Sequence, residues 1–140
     1  MEERYSNSHR LDNPIFPSLS KRYFATTLDV VLLIVVVISM VKLFETFQVS
    51  TDAWIWYSVF LPVLLYEPVM TSRAATLGQT VFGFRIKDVI TGQKISLKQA
   101  YGRWLLKFIL GGISLLTIPN DVQKRAIHDK LLASVAVAVR

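Results

Sequence analysis

Two long apolar stretches dominate the pattern, and the charged residues fall between and after them. The first predicts a helix from about Tyr23 to Phe44. Between Val30 and Val41 every side chain is aliphatic except Ser39 and Met40. About 20 residues at 1.5 Å each cross a hydrocarbon core of about 30 Å. A run apolar on every face does not suit a helix half-exposed to water. The second predicted helix covers about residues 53–71 and opens on Trp54, Trp56 and Tyr57, rings that suit a membrane–water interface. Pro62 falls inside it, where a membrane helix tolerates proline better than a soluble one, and Glu67, Pro68 and Arg73 mark its end. A third apolar segment, Trp104–Ile118, is interrupted by Lys107, weakened at Gly111–Gly112 and closed by Pro119. It reads either as a re-entrant hairpin bent at the glycines or as a third span.

The intervening segments have patterns of their own. Residues 1–20 are polar, carry Pro14 and Pro17, and form an expected tail. The first apolar stretch comes late for a signal peptide and lacks a small-residue cleavage site after it, so the helix is expected to be retained. In the second loop Phe82, Phe84 and Ile86 alternate with Gly83, Arg85 and Lys87, the period of a strand. Thr91–Gly92 supplies a turn, so residues 82–96 are expected to form a β-hairpin. Ser96 and Gln99 have capping-box spacing and start a helix at Leu97, running to about residue 118. A last helix is expected over about residues 121–133, capped by Asn120 or Asp121, with Asp121, Arg125 and Asp129 spaced for ion pairs along one face. Leu131–Val139 is small and apolar, suited to packing on the bundle or lying on the membrane. The expected fold is an all-α integral membrane domain over residues 21–140. It has two transmembrane helices, a third apolar segment and a small cytoplasmic β-hairpin.

Charge sets the orientation. Arg4, Arg10, Lys21 and Arg22 precede the first helix, and Arg73, Arg85, Lys87, Lys94, Lys98 and Arg103 follow the second, while the connecting loop has only Lys42 at its edge. By the positive-inside rule the N-terminus and second loop are cytoplasmic. Lys124, Arg125, Lys130 and Arg140 would sit outside if residues 104–118 crossed fully, which favours the re-entrant form. Hydrophobic residues make up 52% of the 140, and the net charge is +6. In a membrane chain that charge points to anionic lipid headgroups at the basic cytoplasmic loop rather than to nucleic acid. With no cysteine, disulfides, thiolate metal sites and cysteine nucleophiles are excluded.

One constellation carries chemical information. Asp29 lies inside the first helix, about 10 Å beyond Arg22 on the same face, with Thr26 between. A carboxylate within a bilayer costs roughly 2.5–3.5 kcal/mol on insertion scales and marks a function or a buried pair. Glu67, near the cytoplasmic end of the antiparallel second helix, falls at a similar depth. Two such carboxylates can share a proton or hold a cation. Alternatively, Asp29 pairs with Arg22, Arg103 or Lys107 and fixes the packing. The face continues through Leu33, Val36 and Met40, so no polar path crosses the outer leaflet along this helix. His128–Asp129 has no accompanying nucleophile pattern and suits capping or a salt bridge better than catalysis. The two histidines lie too far apart in sequence for a metal site. Gly78 and Gly83 lack the lysine of a phosphate loop. Neither an enzyme nor a bound cofactor is expected.

Arg22, Ala25 and Asp29 form an R-x-x-A-x-x-x-D pattern. Thr76, Leu77, Gly78, Gln79, Gly83 and Gly92 follow in the second loop, and Lys124-Arg125-Ala126-Ile127-His128-Asp129 in the tail. Together these resemble the RDD family of membrane proteins, named for an arginine and two aspartates, from about residue 17 onward. The resemblance implies that Arg22, Asp29 and Asp129 are the named residues, with Gln79 where a basic residue is usual. It also implies a polytopic protein associated with transport of unidentified ligands. Arg22, Asp29 and Asp129 are accordingly expected to cluster at the cytoplasmic side with His128 nearby, and the bacterial inner membrane is the expected location. Two or three helices can hardly enclose a pathway, so transport calls for a homo-oligomer or a partner membrane protein. The alternative is an accessory or regulatory subunit that does not itself transport.

Overall fold

A helix of 28 residues, α1 (Leu19–Thr46), is the first element of the described chain. The computed structural model describes residues 15–49, 52–110 and 124–139. Ser18 caps α1 by accepting from the Lys21 N–H at 3.4 Å, so the helix begins a turn before the apolar run. At 1.5 Å per residue it is about 42 Å long. It is also the one described helix long and apolar enough to cross a membrane, and its apolar window is only 6% buried. Apolar side chains along it, such as Val31, Ile34, Val35 and Ile38, are each more than half exposed, as expected of a helix whose solvent is lipid.

The second helix, α2 (Ala53–Arg73), runs close to the expected bounds and carries both Pro62 and Pro68 inside it. A short α3 (Leu77–Val81) follows, closed by a capping box between Thr76 and Gln79. Then come β1 (Phe84–Asp88), α4 (Leu97–Leu110), α5 (Ile127–Leu131) and β2 (Ser134–Ala138). Helix α4 starts where its capping box placed it: the Gln99 N–H donates to Ser96 Oγ at 3.2 Å, and the Ser96 N–H to Gln99 Oε1 at 2.9 Å. Residues 111–118, on which the choice between re-entrant hairpin and third span turns, lie outside the described residues, as do Asn120 and Asp121.

The expected hairpin over residues 82–96 is not what forms. The chain does reverse, with Gly92 at φ 67° and the Asp88 N–H donating to Gln93 O at 2.9 Å. The returning arm makes one isolated bridge, Lys87 to Lys94, and stops. The Ser96 cap begins a helix too soon for a strand to develop. The strand partner is instead β2, antiparallel, with Ile86 opposite Ala136 and Phe84 opposite Ala138. Of the two courses expected for Leu131–Val139, packing on the bundle or lying on the membrane, the first holds, but as the end of α5 followed by a strand. Four of the five β2 residues are buried, which suits a valine-alanine run to a covered strand. The helix expected over 121–133 is likewise shorter, described from Ile127 to Leu131.

The two strands belong to a repeated unit. Each is preceded by a five-residue helix and a two-residue turn whose second residue is left-handed: Gly83 at φ 69° and Ala133 at φ 49°. Every element of the second unit lies 50 residues after its counterpart (77 to 127, 84 to 134). Ile86 and Ala136, equivalent in the two units, face each other at the centre of the sheet. A local two-fold axis therefore relates the units. Around it Ala25, Phe84, Ile86, Ile95, Ala100 and Ala136 form the core, with Phe82 against it. The α3 unit packs on α1 and α2 packs on α4, while α1 and α2 touch little. At Gly78 an added Cβ would overlap the Ala25 carbonyl and lie 2.9 Å from Asp29 Oδ2, so only glycine lets α3 approach α1 this closely.

Candidate functional site

Asp129 is the centre of a buried ionic network. It sits at the third position of α5 and reaches back to the Ala126 N–H at 3.3 Å, the place Gln79 fills in α3. Its Oδ2 pairs with the Arg22 guanidinium, and its Oδ1 accepts from Arg103 Nε at 2.7 Å and Ser134 Oγ at 3.3 Å. Arg22 also donates to the Lys124 carbonyl at 2.7 Å. Arg22 and Arg103 are 4% and 5% exposed and Asp129 is 0%, so none of the three has water to fall back on. Burial would raise the Asp129 pKa, but Arg103 and Arg22 more than offset it and hold the carboxyl well below its usual range. His128 Nε2 lies 3.3 Å from Asp129 Oδ1. Burial, aided by Arg103, outweighs the carboxylate and lowers the imidazole pKa to about 3, so the ring is neutral at pH 7.

Asp29 is not part of that ion pairing. It pairs with none of Arg22, Arg103 or Lys107, contrary to the alternative that made it a packing salt bridge. It accepts instead from Thr76 Oγ1 at 2.6 Å, the Gly78 N–H at 2.8 Å and the Tyr66 hydroxyl at 3.1 Å, all neutral donors. Tyr66 in turn accepts from the Leu77 N–H at 3.0 Å. Asp29 thus ties α1 to the start of α3 and to α2, and the expected single cluster divides. Arg22 and Asp129 form one part, and Asp29 with its neutral donors forms the other. Glu67 is ion-paired with Lys107, and Arg103 Nη1 stands 3.8 Å from the same oxygen.

The parts meet around one cavity of about 50 Å³, lined by Arg22, Thr26, Asp29, Tyr66, Glu67, Gln79, Arg103, Lys107 and His128, among others. Every supporting residue singled out in the sequence, Thr26, Arg103, Lys107 and His128, borders it. Asp29 and Glu67, expected at a similar depth on the two helices, both line it. Among the described residues no group of three potential metal ligands converges. Tyr66 and Thr76 were missed as site residues. Thr76 had a signal in its capping-box spacing to Gln79, although nothing local ties it to Asp29, 47 residues earlier.

The RDD family model matches residues 16–133, most of the chain, from before Arg22 through Asp129. The chain belongs to the RDD family. No curated protein and no solved structure matches it.

Proposed function

We propose that this chain is a non-catalytic subunit of a membrane assembly that takes up a proton or a small inorganic cation at the cytoplasmic side, with Asp29 as the exchanging group. The observation that carries this reading is the set of neutral donors around Asp29. Glu67 and Asp129 are each held by cations, so binding there must break an ion pair. At Asp29 a proton or cation competes only with hydrogen bonds. The cavity of about 50 Å³ fits a few waters or an ion, well short of the roughly 300 Å³ that an organic ligand needs. Glu67 is the second carboxylate of the site, and an entering cation meets the Lys107 ammonium as its competitor there.

In this reading α1 and α2 both span the bacterial inner membrane with the N-terminus cytoplasmic. The path across the outer leaflet comes from a second copy or a partner, since Leu33, Val36 and Met40 offer no polar group. The test is thermal unfolding of the detergent-solubilised protein across pH and in sodium, potassium or lithium chloride at constant ionic strength. A ligand that binds the folded state raises its stability, so wild type should respond to pH or to one cation. A folded Asp29→Asn variant should lose the cation response and keep only the pH response that His128 and Asp129 supply, and an identical response in both would refute the proposal. One observation favours the second reading, an accessory subunit without transport. The cavity wall carries Arg22, Arg103 and Lys107 against Asp29 and Glu67, with Asp129 paired to the two arginines behind it, which leaves no spare negative charge to attract a cation. That reading expects no ion-specific response at all.

A further inference from the structure

A second charged site lies apart from this network, on the outer face of the turn that follows β1. Arg85, Lys87 and Lys94 line an open groove of about 450 Å³ floored by Ile86 and edged by Ala74, Gly92 and Gln93. Lys87 and Lys94 stand directly opposite each other in the antiparallel bridge, an arrangement of like charges that destabilises a sheet unless something offsets it. No carboxylate among the described residues pairs with any of the three cations. The nearest in sequence, Asp88, is taken up by Gln99 Nε2 at 2.6 Å and by the N–H groups of Ile90 and Thr91. The groove also begins at Ala74, the C-cap of α2, one position past Arg73.

We propose that this groove binds a phosphate group, with Lys87 and Lys94 sharing it and Arg85 offering a forked donor to its oxygens. The shared counter-ion would relieve the repulsion across the bridge. Two sources present that chemistry at the end of a membrane helix: the headgroup of an anionic phospholipid and a soluble phosphate. A juxtamembrane lysine or arginine contributes enough that loss of two should weaken binding roughly tenfold or more.

The experiment uses the full chain in detergent, as wild type, Lys87→Gln/Lys94→Gln and Lys87→Glu. The last variant faces a carboxylate to Lys94 and closes the site from within. In one arm, native mass spectrometry counts bound lipid from an equimolar mixture of phosphatidylglycerol and phosphatidylcholine. In the other, thermal unfolding is followed with added inorganic phosphate against chloride at equal ionic strength. Preference for phosphatidylglycerol in wild type, lost in both variants, supports the site and assigns it to lipid. Stabilisation by inorganic phosphate that both variants lose, without lipid preference, supports it and assigns it to a soluble ligand. If wild type and Lys87→Glu behave alike in both arms, the proposal is overturned. Should the double variant fail to fold, Lys94→Gln alone, at an exposed position outside the strands, takes its place with the same expected losses.

Discussion

Arg22 and Asp29 share a helix face, yet the structure couples Arg22 to Asp129, more than a hundred residues away. A double-mutant cycle separates these partners. Asp129→Asn removes the one carboxylate that serves two guanidiniums, both at most 5% exposed. Breaking a buried pair costs about 3–5 kcal/mol, and with Arg22 left uncompensated and Arg103 left only Glu67 at 3.8 Å the loss should reach about 5. Arg22→Gln is milder, about 3 kcal/mol, because Asp129 keeps Arg103 at 2.7 Å. The Arg22→Gln/Asp129→Asn double variant should cost less than the two singles together, by on the order of 2 kcal/mol. Arg22→Gln combined with Asp29→Asn should be additive to within about 0.5 kcal/mol, because the two side chains have no partner in common. Unfolding in mixed micelles with increasing SDS, followed by tryptophan fluorescence, gives all the values. Strong coupling between Arg22 and Asp29, or additivity between Arg22 and Asp129, would refute the reasoning.

Three further outcomes are expected. Gly78→Ala should destabilise by about 2–3 kcal/mol through overpacking against Ala25 and Asp29. Gly83→Ala has open space and should cost only about 1 kcal/mol, from its φ of 69°; equal melting temperatures for the two variants would contradict this. In acid, unfolded His128 takes up a proton near pH 6.5 while the folded ring resists until about pH 3. Stability should therefore fall as pH drops from 6.5, by up to about 1.4 kcal/mol per pH unit. The depressed Asp129 pKa adds a second loss below the usual carboxylate range, in the same direction. His128→Gln should flatten the upper part of this profile, and an unchanged slope between pH 4 and 6.5 would count against it. Finally, cysteines at positions 8 and 50 report topology in intact cells: an impermeant thiol reagent should label position 50 and spare position 8.

What was legible in the sequence was local. The apolar run of α1 needs no partner to declare itself, and Ser96 and Gln99 fix the start of α4 through groups three residues apart. Asp29 stood out because a carboxylate in an apolar helix is costly wherever it points. What stayed hidden was pairing at a distance. Nothing in residues 82–96 shows that β1 pairs with residues 134–138, because a turn and an alternating strand satisfy a local hairpin equally well. Helical spacing likewise suggested Arg22 as the partner of Asp29, whereas the fold brings Thr76 and Gly78 to Asp29 and Asp129 to Arg22. The 50-residue repeat was also concealed. The two units share a capping position, a left-handed turn residue and strand length, while their side chains differ almost throughout.

The central claim, that Asp29 is the group that exchanges a proton or cation, is tested most directly by flux. Proteoliposomes loaded with a pH-sensitive dye and given an inward sodium or potassium gradient would carry wild type, Asp29→Asn or Glu67→Gln, each reconstituted with the membrane protein that co-purifies with it where there is one. The account predicts a cation-dependent pH change with wild type and none with Asp29→Asn, although that variant is inserted and folded to the same extent. Equal pH change in wild-type, Asp29→Asn and protein-free vesicles would contradict it and leave the charged cavity as a structural joint.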